Sequence, residues 1–192
     1  MRMPGDVNAL KKNDKKQDQR IDRMEKVLHQ LQSGLRPEIR TSGVKVEPVK
    51  TSRSRAPVPE AVNTSKDMEA VRITMPAAVL FASGATQINS MGRKVLAKVA
   101  GSLRAAPDST IRIVGHSDAR PVSEKLRSRF TDNWELSAAR AAAVARVFVW
   151  GEHINERRIH VEGRAATEPV ADNSTAKGRA RNRRIELFIA KG

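Results

Sequence analysis

The chain has 192 residues, no cysteine, 39% hydrophobic and only 3% aromatic side chains, and a formal net charge of +15. The missing cysteines exclude a disulfide framework and thiolate chemistry, and no run of about 18 apolar residues is present to span a membrane. The length suits one ordinary domain with appendages, and the positive charge, +4 over residues 1–40, +2 over 41–68 and +9 over 69–192, is spread too evenly to choose between nucleic acid, anionic lipid and cell-wall polymer as a partner.

The first thirty residues are polar and lack the apolar core of a secretory signal. If the protein works outside the cytoplasm, an export signal or membrane anchor is expected upstream of Met1. Residues 6–36 carry a heptad pattern, in which Val7, Leu10, Asp14, Gln17, Ile21, Met24, Leu28, Leu31 and Leu35 alternate at steps of three and four. The residues between them are almost all charged or amide-bearing. This is the seam of a short left-handed coiled coil and predicts a homo-oligomer, with Asp14 and Gln17 limiting register at some cost in stability. The alternative is a solvated helix that packs elsewhere on the same chain.

Residues 37–68 are dominated by proline, serine, threonine and charge, with no apolar period. They read as a disordered linker with a reach on the order of 100 Å at about 3.3 Å per residue.

Residues 69–192 read as the folded domain. Val71, Ile73 and Met75 alternate with Arg72 and Thr74 as a half-buried strand. Ile88, Met91, Val95, Val99 and Leu103 share one helical face, and Pro107 follows the helix end. Residues 110–114 form a short apolar strand that stops at Gly115. A second helix is predicted over 133–150, with Asp132 or Asn133 as N-cap and Gly151 as C-cap. Ile159 and Val161, then Ile185, Leu187 and Ile189, alternate with polar residues as two further strands. The order β-α-β-α-β-β predicts an α+β, two-layer sandwich with the helices over one sheet face.

The second helix holds the most informative side chain. At about 100° per residue from Leu136, Val147 falls at about 20°, Val144 at about 80° and Arg140 at about 40°, inside the apolar stripe. A guanidinium there needs a partner, because an unpaired buried charge costs several kcal/mol. The sequence Gly115-His116-Ser117-Asp118 follows directly on the strand and offers a carboxylate. Either Asp118 and Arg140 form an internal salt bridge, or they stand at a pocket that recognises a ligand bearing both an ammonium and a carboxylate.

The stretches GHSDARP, NWELSAARA and GRARNRRIEL resemble, in order and at compatible spacing, the GHTD, NxxLSxxRA and NRRVEI motifs of the OmpA/MotB C-terminal family. FASGATQI resembles that family's opening before its first helix. The resemblance covers about residues 69–192, and the fourteen residues between Asp118 and Asn133 look more like MotB-type members. It implies an OmpA-like domain that binds peptidoglycan non-covalently through the diaminopimelate of the stem peptide, anchoring an envelope protein to the cell wall in the periplasm. By motif position, Asp118 meets the amino group and Arg140 the carboxylate. Asn133, Asn182 and Ser117, which replaces the family's usual threonine, are implied as supporting contacts. The segment GRAATE at 163–168 departs from the common GYGE, and no ligand contact is assigned there.

Three readings compete with that anchor. One is a MotB-like flagellar stator component or envelope machine, whose membrane segment and motor partner would come with sequence upstream. Another is a basic nucleic-acid binder using the RARNRR run at 179–184, although no aromatics interleave it, a strand-entry role beside the ligand pocket is the preferred assignment of the run, and nucleic acid is not the expected partner. The last is an enzyme, for which no nucleophile–base pair or phosphate loop is visible. No cofactor is implied. His116, His153 and His160 lack metal-ligand spacing, so no metal site is expected, and His116 is assigned to stabilising the turn, with lining of the pocket as the alternative. Trp134 either covers the pocket or packs.

Overall fold

The structure, a computed structural model, describes residue 29 and residues 43–49, 70–82 and 84–191. The coiled coil expected over 6–36 and most of the linker expected over 37–68 lie outside the described residues.

A five-stranded sheet carries the domain, made of β1 (Lys45–Val49), β2 (Ala70–Pro76), β3 (Ser109–His116), β4 (Ile159–Gly163) and β5 (Arg184–Lys191) in the spatial order β1-β2-β5-β3-β4. β3 and β4 run parallel and the other neighbours antiparallel, which puts the last strand at the centre. The helices are α1 (Ala77–Leu80), α2 (Ser90–Ala105), α3 (Glu124–Arg127), α4 (Asn133–Arg146) and α5 (Ala176–Asn182). The expected β-α-β-α-β-β order is therefore present as β2-α2-β3-α4-β4-β5. β1 and α5 are additions.

Alternation sorts the sheet into two faces. Val71, Ile73, Met75, Ile111, Ile113, Ile185, Leu187 and Ile189 are each 2% exposed or less, and they meet Val95, Val99 and Leu103 of α2 and Ala141 and Val144 of α4 in one core. Burying each large aliphatic side chain stabilises by roughly 1.5–3 kcal/mol, so this face holds the layers together. On the opposite face Glu47 pairs with Arg72 at 2.8 Å, and the Arg112 guanidinium lies 4.3 Å over the Phe188 ring.

β1 corrects the reading of 37–68 as linker throughout. Val44 and Val46 alternate with Lys45 and Glu47, and Val46 registers against Ile73. The period is only a few residues long, and Pro48, which looks like a linker residue, is tolerated because β1 is an edge strand.

Both helices depart from their predicted phasing. Met91 is 40% exposed, because α2 docks its first turn through Gly92, where a Cβ would stand 2.6 Å from the Leu80 carbonyl oxygen. Beyond Arg146, α4 widens into a π-helical turn, Val147–Gly151, closed by the Glu152 amide donating to the Val147 carbonyl at 3.0 Å. The inserted residue shifts the helical face. Phe148 is fully buried and Trp150 is 72% exposed. The left-handed residue after this helix is His153 (φ 56) rather than Gly151.

Candidate ligand-binding site

Two glycines set the position of the site. Gly115 and Gly163 face each other in the β3–β4 register. A Cβ on Gly115 would stand 2.1 Å from the Ser137 carbonyl oxygen, and one on Gly163 would stand 2.8 Å from the Ala138 amide. The backbone of α4 thus rests directly on the strands, and Arg140 follows less than one turn later. The Ser137 hydroxyl accepts from the Ala165 amide at 3.1 Å, and the Ala165 carbonyl accepts from the Ser117 amide at 2.7 Å. Ala165 does this in the left-handed region (φ 46), so 163–168 acts as a brace between α4 and the end of β3.

Arg140 is 8% exposed. Its Nε and Nη2 both donate to the Ala85 carbonyl at 3.2 Å, and the guanidinium lies 5.5 Å over the Phe81 ring. Nη1 makes no hydrogen bond among the described residues. Burial, and then the Arg183 charge, push its pKa below the ordinary value while Asp118 opposes them. A guanidinium in such a setting keeps its charge.

Asp118 is 7% exposed in the turn after β3. Its Oδ1 accepts from the Arg120 amide at 2.9 Å, and its Oδ2 accepts from Arg183 Nη1 at 2.5 Å. No Asp118–Arg140 ion pair forms, so the internal salt bridge weighed from the sequence is not the one present. The partner is Arg183, whose side chain is 41% exposed. The sequence reading passed over Arg183, although it stands in the NRR motif beside a residue that was nominated.

The three residues expected as supporting contacts make hydrogen bonds within the fold. Asn133 Nδ2 donates to the Asp118 and Arg120 carbonyls at 3.3 and 2.7 Å, tying the first residue of α4 to the turn. The Ser117 hydroxyl is buried and donates to the Asp118 carbonyl at 3.0 Å. Asn182 is 0% exposed, with Oδ1 accepting from the Val170 and Ala171 amides and Nδ2 donating to the Ala171 carbonyl and to Asn173 Oδ1. All four of its hydrogen-bonding capacities are spent inside the fold. Its influence on the site runs through Asn173 Oδ1, which also accepts from the Ala119 amide at 3.1 Å.

Asp132 caps α4, accepting from the Trp134 and Glu135 amides, and Trp134 stands 51% exposed. His116 is not at the turn surface. It is 2% exposed opposite Arg184 in the β3–β5 register. Burial, reinforced by the Arg184 charge, lowers its pKa from 6.5 to about 4 and keeps it neutral, despite Glu186 at 3.8 Å.

The helix α5 was not read from the sequence. Thr175 caps it by accepting from the Gly178 amide, and a Cβ on Gly178 would fall 1.8 Å from the Asp172 carbonyl oxygen. The helix takes up most of the RARNRR run. Arg179 donates to the Asn173 and Ser174 carbonyls, Arg183 to Asp118, and Arg184 to Glu186 and the Glu168 carbonyl. Guanidiniums engaged in this way do not form a free polyanion patch.

The site therefore offers one carboxylate beside one exposed guanidinium, and a second, buried guanidinium whose Nη1 makes no hydrogen bond among the described residues. Residues 80–183 match the model of the OmpA family. The chain is 35% identical over 130 residues to the Bacillus subtilis protein YtxE, covering 68% of this chain and 52% of that protein. It is 30% identical over 128 residues to Motility protein B of Bacillus subtilis, covering 67% and 48%. The chain thus spans about half the length of these relatives. Among solved structures, the cell wall anchor of the T6SS from Pseudomonas aeruginosa is similar at 32% identity and a TM-score of 0.66, covering 84% of this chain and 97% of that one.

Proposed function

The chain belongs to the OmpA family, and from that membership we propose that its domain binds peptidoglycan non-covalently and anchors an envelope protein or complex to the cell wall. The ligand group is the diaminopimelate of the stem peptide, whose free end pairs an ammonium with a carboxylate. The observation that carries the reading is Arg140. It is a buried guanidinium with no carboxylate within 4.0 Å among the described residues and with Nη1 unspent, at the rim of a site that also holds Asp118. A ligand carboxylate completes it by a charge-assisted hydrogen bond. The ligand ammonium takes the Asp118 carboxylate, which the exposed Arg183 holds in the free protein and yields on binding. No covalent chemistry is required of any residue.

Copies joined through the heptads of residues 6–36 would gain avidity on a repetitive polymer. Co-sedimentation with purified sacculi tests the reading. The wild-type chain sediments, whereas Asp118→Ala and Arg140→Ala stay in the supernatant while folded by circular dichroism. If both variants sediment like wild type, the site is wrong. Analytical ultracentrifugation tests the heptads, and a monomer at tens of micromolar would remove the avidity.

The 30% identity to Motility protein B favours one second reading, a stator-like component of a motor. The coding sequence upstream of Met1 tests it, since a stator subunit needs an apolar membrane helix bearing an ion-carrying carboxylate there.

A further inference from the structure

Beside the site just described, α2, the turn after α3 and the C-terminal end of α4 enclose an open groove of about 730 Å³. Arg93, Arg129 and Arg146 line it, with Val147 on its floor and Trp150 at its edge. All three arginines are exposed, and none has a carboxylate within 4.0 Å among the described residues. Among the described residues, every acidic partner in an ion pair lies elsewhere. Trp150 stands 72% exposed in the π-helical turn, while Phe148 of the same turn is buried in the core.

The groove adjoins the Arg140 site along the chain. Ala85, whose carbonyl holds Arg140, is followed directly by Thr86 on the groove wall. Val147 lies about two turns beyond Arg140, where α4 passes into the π-helical turn that carries Trp150. A polymer held at Arg140 must leave the site along some surface, and this one has an apolar floor and three guanidiniums without a carboxylate among the described residues, Arg129 lying 5.5 Å over the Phe130 ring.

We propose that this groove is a second subsite for the same wall polymer, taking a carboxylate-bearing part of the stem peptide outside the diaminopimelate end, with the carboxylates on Arg93, Arg129 and Arg146 and the backbone against Trp150. The inference rests on the peptidoglycan reading. Charge decides the occupant: the folded domain of a second copy is itself basic, +9 over residues 69–192, and a neutral apolar segment leaves three guanidiniums unpaired. Planar guanidinium forks suit carboxylates, and an exposed indole offers a flat apolar face for the peptide between them.

The test uses the full chain with Trp134→Phe, which leaves Trp150 as the sole indole reporter, titrated with a soluble disaccharide–tetrapeptide muropeptide, with meso-diaminopimelate alone, and with poly-glutamate. The muropeptide changes Trp150 emission and diaminopimelate alone does not. Arg129→Gln with Arg146→Gln weakens muropeptide binding about tenfold at low salt, each exposed pair being worth a few-fold at most, and changes diaminopimelate affinity less than about twofold. Arg93→Gln alone weakens the muropeptide about threefold. The proposal is overturned if the double variant binds the muropeptide like wild type, or if a muropeptide with amidated carboxylates binds equally well. It is also overturned if poly-glutamate occupies the groove without competing with the muropeptide, which would assign the surface to an acidic protein. Loss of Asp118→Ala binding alongside an unaffected double variant sinks this subsite alone. Failure of the wild type to bind either wall fragment sinks the peptidoglycan reading with it.

Discussion

Replacing Asn182 by alanine separates a buried organiser from a ligand contact. The side chain has no exposed surface and satisfies two amides, one carbonyl and the Asn173 side chain. Asn182→Ala removes all four hydrogen bonds and leaves the Val170 and Ala171 amides without partners in the fold. Each buried unsatisfied group costs about 1–3 kcal/mol, so even with water entering the space the loss is on the order of 3–5 kcal/mol. Asn182→Asp keeps the two bonds accepted by Oδ1 but turns an oxygen toward the Ala171 carbonyl and Asn173 Oδ1, and is expected to be about as damaging. Urea denaturation measures the stability of both variants, and sacculus binding is then corrected for the folded fraction. The corrected affinity is expected to fall only a few-fold, through the link from Asn182 to Asn173 to the Ala119 amide beside Asp118. A variant within about 1 kcal/mol of wild-type stability that had lost binding would refute this reasoning and restore Asn182 as a ligand contact.

Arg140→Lys keeps the charge but loses the paired donation to the Ala85 carbonyl and the stack on Phe81; stability is expected to drop about 1 kcal/mol and sacculus binding much more, since an ammonium cannot reproduce the fork. Gly115→Ala is expected to destabilise more than Gly163→Ala, by about 3 kcal/mol or more against about 1–3, because its methyl meets the Ser137 carbonyl at 2.1 Å rather than the Ala138 amide at 2.8 Å; equal denaturation midpoints would contradict the close approach of α4. His116 stays neutral in the folded protein down to about pH 4, whereas the unfolded chain binds that proton near 6.5. The stability this contributes is therefore complete above pH 6.5 and is lost as the pH falls, by about 2 kcal/mol at pH 5 and about 3 kcal/mol below 4. The difference in unfolding free energy between pH 7 and pH 5 is expected to shrink by that amount in His116→Gln, and an unchanged difference would place the titrating group elsewhere.

The strands and the two long helices were legible because their information is local. Period-two alternation in 71–75 and 185–189, and the aliphatic face of Val95, Val99 and Leu103, decide burial whatever the neighbours are. Arg140 was legible for the same reason, as a charge inside an apolar helical face, and Asp118 through the turn that ends β3. The edge strand β1 and the short helix α5 were not, since five to seven residues carry too little periodicity to stand out from turn-like composition.

The sequence by itself determined the α+β order, the family and the two residues on which the binding reading turns. The tertiary structure decided which partner each charge takes. Asp118 meets Arg183, 65 residues away, rather than Arg140, because β5 inserts between β2 and β3 and carries the end of α5 to the turn after β3. Asn182 is drawn inside by the same insertion. Pairing across that distance is set by strand order and by where helices rest on glycines, and neither is written in the spacing of any single segment.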